Sequence, residues 1–223
     1  MVGASRTSDE LGRAFPGVRV VESSHDRVVD QVDASPALVV CTPGAEPDAA
    51  GGYAAAVILD AGLTLARPDL RAAEEALRRW LAAVSLVRPG SDGGTVAVVG
   101  PARDRAVQAL VRLDPGGFAE RELADRAQAG FPPAVRLATV DGELASLRSL
   151  VGHAELPASA QLLGPVELPV QAATTAALSR LMVRVPFDDG RMLAPALKAA
   201  QAIRSARKEP GAVRVRIDPA EIA

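Results

Sequence analysis

The sequence predicts a mixed α/β protein built in two parts. Two patterns carry that expectation. Short apolar runs alternate with helix-period segments through the first half, and the second half follows a strand-helix-strand-strand-helix-strand order. Between them, Asp114-Pro115-Gly116-Gly117 reads as a turn cluster and a boundary. The expected parts are residues 1–115 and 116–223.

Each element has its own signal. Ser8-Asp9-Glu10-Leu11 reads as a helix start, because small polar and acidic residues suit the positive end of a helix dipole. That helix should stop near Phe15-Pro16-Gly17. Val18, Val20 and Val21 read as a short strand. Residues 37–41 are continuously apolar, as in a parallel strand covered on both faces, and 54–59 form a third run. Pro68-Asp69 opens a long helix whose Leu70, Ala73, Leu77, Trp80, Leu81 and Val84 fall on one stripe. Gly93-Gly94 precedes a fourth strand at 95–99, and a helix at 101–111 follows. The alternation predicts an open, mostly parallel sheet. About four strands, against the roughly 5–6 of a mean sheet, make it part of a domain or a trimmed one.

In the second half, a helix at 118–129 ends at Gly130 with Phe131-Pro132-Pro133 beyond it. Strand 135–140, helix 143–151, strands 161–166 and 178–185, helix 191–208 and strand 213–217 follow. That β-α-β-β-α-β order is the split βαβ arrangement of ferredoxin-like folds. The Ala-rich stretch 172–177 falls between two strands and reads as a loop.

Composition excludes several classes. The 223 residues are 48% apolar and 23% charged, too apolar for a disordered chain, and no run approaches the roughly 18–20 apolar residues of a membrane span. The N-terminus has no uninterrupted apolar run of the signal-peptide kind. These features predict a cytoplasmic protein. Cys41 is the single cysteine, so neither an internal disulfide nor a Cys-rich zinc site can form. Arg outnumbers Lys 23 to 2, and 44 residues are Ala. The net charge is −2, yet residues 178–216 hold nine basic groups against Asp188, Asp189 and Glu209.

Catalytic signatures are sparse. Neither a Gly-x-x-x-x-Gly-Lys-Ser/Thr loop nor a Gly-x-Gly-x-x-Gly turn is present. His25 and His153 lie in unrelated segments and read as surface residues without ligand spacing. Cys41 ends an apolar strand and reads as an inert thiol. Asp60 follows a strand end, where carboxylates of parallel sheets often face a ligand crevice.

A colinear series of short matches runs along nearly the whole chain. Gly3-Ala4-Ser5-Arg6, Glu10-Leu11 and Phe15-Pro16-Gly17-Val18 come first. Leu59-Asp60-Ala61-Gly62 and Arg67-Pro68-Asp69-Leu70-Arg71-Ala72-Ala73-Glu74 follow. Then come Glu122-Leu123, Gly130-Phe131-Pro132-Pro133, Arg136-Leu137, Leu163-Gly164-Pro165-Val166 and Ile217-Asp218-Pro219. In this order they resemble the C-terminal part of the primosomal protein N′ family, the bacterial replication-restart helicases. The resemblance implies that 1–115 is the end of the second, RecA-like helicase lobe. It makes 116–223 a C-terminal DNA-binding domain like a ribosomal small-subunit protein. It also places the zinc cysteines and the first lobe upstream, so that ATP, Mg and Zn belong to segments outside this chain. The chain then reads either as a C-terminal fragment or as the product of a gene beginning at Met1.

The departures from the family pattern concern ATP. Where the family has G-T-Q-M-x-x-K-G, this chain has Cys41-Thr42-Pro43-Gly44-Ala45-Glu46-Pro47, without the Lys-Gly pair. Where the family has Q-V-A-G-R-A-G-R, a gapless alignment places Leu86 and Pro89 at the arginine positions, with Arg88 one residue out of place. Such arginines stabilise phosphoryl-transfer charge and are worth about 10³–10⁵ in rate. Thr42, Asp60 and Arg88 are therefore positions of degraded helicase motifs. This pattern resembles actinobacterial members of the family, and the Arg and Ala excess fits a GC-rich genome. The expected result is a helicase-like pseudoenzyme without ATP hydrolysis.

DNA contact is assigned to the basic cluster. The basic loop of active relatives is replaced by 167–177, which has no basic residue, and stacking aromatics are missing. Arg180 and Arg184 share one strand face by period-2 geometry. Arg204, Arg207 and Lys208 lie at a helix end, where they also suit the negative end of their own helix dipole. These five residues are the candidate phosphate contacts. The expected partners are branched or forked DNA, single-strand-binding protein and other primosome and replisome components, with nucleoid association. A second reading is a protein-interaction scaffold for single-strand-binding protein with little direct DNA contact.

Overall fold

The computed structural model describes residues 3–169 and 177–219. The Ala-rich loop expected at 172–177 falls, but for Ala177, outside the described residues. The chain divides into two compact units, Met1–Phe118 and Ala119–Ala223. Its elements are mixed α/β, with several small sheets.

The first unit begins with α1 (Ala4–Ala14), so Ser8-Asp9-Glu10 lie inside the helix rather than at its start. Its end at Phe15 is where Pro16-Gly17 block continuation. Strands β1 (Arg19–Ser23), β2 (Gln31–Val32), β3 (Ala37–Cys41), β4 (Asp48–Ala49) and β5 (Ala55–Ile58) follow. Next come α2 (Ala61–Leu65), α3 (Ala72–Ser85), β6 (Thr95–Val98) and α4 (Arg105–Arg112). The two-residue strands and the five-residue α2 are too short to leave a periodic signal.

Two helices start later than the prolines suggest. Asp69 accepts from Arg71 N–H at 2.9 Å, so Pro68–Asp69 builds a turn before α3. Asp104, not Pro101, caps α4, accepting from Ala106 N–H at 2.8 Å.

The expected single parallel sheet is corrected. Strands pair in parallel, but as three separate two-stranded ladders: β1 with β3, β2 with β4, and β5 with β6. Strands of two to five residues use their ladder on one neighbour, and no ladder among the described residues joins the pairs. Leu77, Trp80, Val107, Leu110 and Phe118 bury against four alanines, with Ile58 and Val98 packed on them.

The turn cluster at 114–117 is also corrected. Pro115 opens α5 (Pro115–Ala129), where a missing N–H costs nothing, and Asp114 accepts from Gly117 N–H at 2.8 Å. The helix crosses the division between the units. It ends as expected at Gly130, whose φ of +68° favours glycine. Phe131 N–H donates to the Arg126 carbonyl and Gly130 N–H to that of Ala127, a Schellman pair.

The second unit continues with β7 (Val135–Gly142), α6 (Leu144–His153), β8 (Gln161–Glu167), β9 (Ser179–Pro186), α7 (Gly190–Ala206) and β10 (Val213–Ile217). The four strands form one antiparallel sheet in the order β10-β7-β9-β8. Along β9, Ser179, Leu181, Val183 and Val185 are buried and alternate with Arg180, Met182 and Arg184. Leu181, Val183, Val185, Ala138 and Val140 form one core with Leu147 and Leu150 of α6 and Leu193, Leu197 and Ala200 of α7. Both helices therefore cover the same face. The L-G-P-V match is a β-bulge between Leu163 and Val166, where a Cβ on Gly164 (φ +99°) would lie 3.0 Å from the Arg180 carbonyl.

Two of the quoted matches bind each other. Arg136 pairs with Asp218 at 2.6 Å. The Asp218 carboxylate accepts from Leu137 N–H, and its own N–H donates to the Leu137 carbonyl. The I-D-P segment thus clamps the start of β7 to the end of β10.

Candidate nucleic-acid interface

Period-2 geometry turns one set of β-residues away from α6 and α7. On β9 these are Arg180, Met182 and Arg184; on β7, Leu137, Thr139 and Asp141; on β10, Arg214 and Arg216. Register sets Arg214 and Arg180 on either side of Asp141, and Arg216 across from Thr139. Four arginines and one aspartate thus share this face.

The five predicted contacts fare differently. Arg180 forks onto Asp141, Nε donating to Oδ1 at 2.7 Å and Nη2 to Oδ2 at 3.0 Å. Arg216 adds a 3.1 Å bond to the same carboxylate. Burial opposes ionisation of Asp141, but the hydrogen bond and charge of Arg180, followed by those of Arg216, outweigh it and hold the carboxyl below its usual range. Arg184 donates to the Gly130 carbonyl at 3.0 Å and to Gln161 at 3.1 Å, tying the loop after α5 to the sheet.

Arg204 is withdrawn from the phosphate contacts. Its side chain is 7% exposed; it donates to the Pro210 and Gly211 carbonyls at 2.8 and 3.1 Å and faces Glu209 at 3.4 Å. It fastens the chain after α7 and has no free surface to offer. Arg207 and Lys208 are exposed, next to it, with Lys208 at φ +53°.

His153, read as a surface residue, is half-buried and 2.9 Å from Glu209. Ser149 donates to the other oxygen of the same carboxylate. The Ser149 hydroxyl first, then His153 and Arg204, bring Glu209 down to about 2. This cluster joins α6 to the turn after α7.

Arg214 and Arg216 were not singled out by sequence, although both belong to the basic cluster. The signal lay in the alternation Val213-Arg214-Val215-Arg216-Ile217, which becomes a shared face only once β10 is known to pair with β7.

Thr42, Asp60 and Arg88 stand at the ends of different elements, and no side-chain bond joins them among the described residues. Thr42 follows β3, its N–H bonded to the Ser23 carbonyl. Asp60 is exposed at φ +54° before α2, and Arg88 is exposed, its N–H donating to the Tyr53 carbonyl. The Cys41 thiol is pushed up to about 11, by burial first and then by the Glu46 charge, so it is protonated at neutral pH. Among the described residues no group of three His, Cys, Asp or Glu side chains could hold a metal ion, and no helix is long and apolar enough to cross a membrane.

Comparison with known proteins extends this geometry. Residues 127–220 match the family model of the primosomal protein N C-terminal domain. The whole chain is similar to the probable replication restart protein PriA of Mycobacterium leprae, 50% identical over 228 residues and covering 35% of that protein. It is 47% identical over 235 residues to the probable replication restart protein PriA of Mycobacterium tuberculosis (strain CDC 1551 / Oshkosh), covering all of this chain and 36% of that protein. The chain spans about a third of the length of the relatives it matches. Residues 127–220 thus carry the C-terminal domain of the PriA family, in a chain similar along its whole length to part of the PriA proteins.

Proposed function

We propose that this chain is the nucleic-acid-engaging part of a replication-restart protein, and that it contacts branched or forked DNA through the sheet face of its second unit. The observation that carries the reading is the shared placement of Arg180, Arg184, Arg214 and Arg216 on the face away from both helices. Guanidinium groups are planar, permanently charged forks suited to phosphate, and backbone contacts fix position without reading sequence. Arg207 and Lys208 are exposed at the end of α7, which packs on the opposite face, and Arg204 leaves the set. In this reading the second unit is a ferredoxin-like domain, supported by its element order and by the strand order β10-β7-β9-β8. The first unit is a remnant of a helicase lobe, supported by its parallel strand pairs.

The same reading assigns no ATP hydrolysis to the chain. Leu86 and Pro89 stand where the family pattern has arginines, and among the described residues no side-chain bond joins the exposed Arg88 to Thr42 or Asp60. Anisotropy of a labelled DNA fork, titrated at several salt concentrations, tests the binding. The parent should prefer the fork to random duplex, and Arg214→Glu should weaken binding about tenfold and reduce the salt slope by roughly 0.7–0.9. Equal affinity for fork and random duplex at low salt would sink the reading.

A second reading is favoured by a different observation. Arg136, Phe187, Asp188, Gly190, Arg191, Ile217 and Asp218 line a cavity of about 440 Å³ at the start of α7. Arg136 lies over the Phe187 ring at 4.7 Å, and Phe187 and Ile217 are exposed. Two guanidinium groups and two carboxylates share the lining, with Arg136 paired to Asp218; in this reading the exposed Phe187 and Ile217 take apolar residues of single-strand-binding protein, with Arg191 beside them. A pull-down with that protein should fail with Arg191→Glu while fork binding persists; retention by the variant would remove the docking site from this cavity.

A further inference from the structure

The charged groups of the sheet face include an anion of their own. The Asp141 carboxylate lies between two guanidinium groups, with both oxygens used and its side chain 12% exposed. Beside it, Arg216 Nε and Thr139 Oγ1 are buried with no partner among the described residues. Register sets Thr139 directly across from Arg216, and two positions before Asp141 on the same face of β7. One fork and a second guanidinium thus hold a single carboxylate, with two buried, unpartnered donors near it on the same face. A phosphodiester presents the same pair of oxygens and the same single negative charge to an arginine fork.

We propose that Asp141 occupies the place of a phosphodiester group between Arg180 and Arg216 and competes with a nucleic-acid backbone for both arginines. It keeps the guanidinium groups folded onto the sheet in the free protein. It also cancels one of their two charges, so it sets how tightly the face grips phosphate. The proposal rests on the reading of this face as the nucleic-acid contact. Arg214, exposed and without a partner among the described residues, makes the first contact; Arg180 and Arg216 engage only when Asp141 gives way.

Asp141→Asn removes the charge and keeps the shape, and Asp141→Glu keeps the charge. Binding of a fluorescein-labelled single strand, and of the same sequence as a duplex, would be followed by anisotropy across salt concentrations. Denaturant midpoints serve as the fold control. The Asn variant is expected to bind about tenfold tighter at low salt, with a salt slope steeper by roughly 0.7–0.9 for one added phosphate contact. The Glu variant should stay near the parent. If the Asn variant binds equally or more weakly while Arg214→Glu still weakens the parent, Asp141 only positions the arginines. The competitor role then falls and the nucleic-acid reading stands. If neither parent nor Asn variant binds either probe, both fall.

A second measurement does not depend on nucleic acid. Inorganic phosphate should shift the Nε–H resonances of Arg180 and Arg216 in the Asn variant and leave them in place in the parent. Equal response in both, or none in the variant, overturns the proposal. Should the Asn variant fail to fold, Asp141→Ser is measured with the same expected outcomes.

Discussion

Among the described residues, six strands of the first unit pair two by two and all in parallel, whereas four strands of the second form one antiparallel sheet with a single core. The difference shows in which apolar side chains are covered. Helices α6 and α7 of the second unit pack on one sheet face, and the buried members of β9 alternate without a break. In the first unit, Val57 on β5 and Val99 after β6 remain 59% and 55% exposed, although Ile58 and Val98 beside them pack on a core. An antiparallel sheet is complete with one covered face, while parallel strands bury both. The second unit closes one core on one face of a joined sheet, the first packs its core on separate strand pairs, and both leave apolar strand residues exposed, Val57 in the first and Val166 in the second.

Four measurements sharpen or break this contrast, in order of expected effect. Leu150 is fully buried in the second core, so Leu150→Ala should cost about 3–5 kcal/mol, and Leu77→Ala in the Ala-rich first core about 2–3 kcal/mol. Trp80, the one tryptophan, reports the first unit by fluorescence, and hydrogen exchange of the β7 and β9 amides reports the second. A larger loss from Leu77 would reverse the comparison.

Glu209→Gln should destabilise the second unit in a pH-dependent way. The folded carboxyl is lowered from about 4.5 to about 2, so its stabilisation is fully present above the higher value and lost as pH falls through the lower one. Denaturant midpoints of parent and variant should differ at pH 7 and converge in acid. A constant gap would show that the cluster with Ser149 and His153 acts by packing rather than charge.

The turn after α7 uses the same hydrogen-bond pattern as the end of α5, with Lys208 in the left-handed position that Gly130 occupies there. Lys208→Gly should therefore stabilise the second unit by about 1 kcal/mol, read as a rise in denaturant midpoint. The smallest effect belongs to the outer strand face. Val57→Ser should change stability by less than about 0.5 kcal/mol, as for other exposed positions. A larger loss would mean that this face is covered in solution.

Much of the architecture was legible in sequence. The β-α-β-β-α-β order, the strand at 37–41, the strand at 213–217 and the stop at Gly130 needed only apolar periodicity and a glycine after the last turn. The start of α5 was not, because Asp-Pro-Gly-Gly suits a turn as well as a capped helix, and only the Asp114 bond to Gly117 N–H decides between them. The site was less legible. Arg180, Arg204 and Arg216 are equally basic as letters, yet one forks onto Asp141, one is buried at a turn and one joins the first from another strand.

Sequence by itself determined which residues alternate, where helices end and that the strongest local positive charge falls at 178–216. These are local properties, set by backbone dihedrals and by the period of apolar residues. Tertiary structure alone decided that the parallel strands divide into pairs, that β10 lies beside β7, and that Asp141 meets Arg180 and Arg216. Those outcomes depend on strand order and register between segments 39 and 75 residues apart, and no local pattern encodes them.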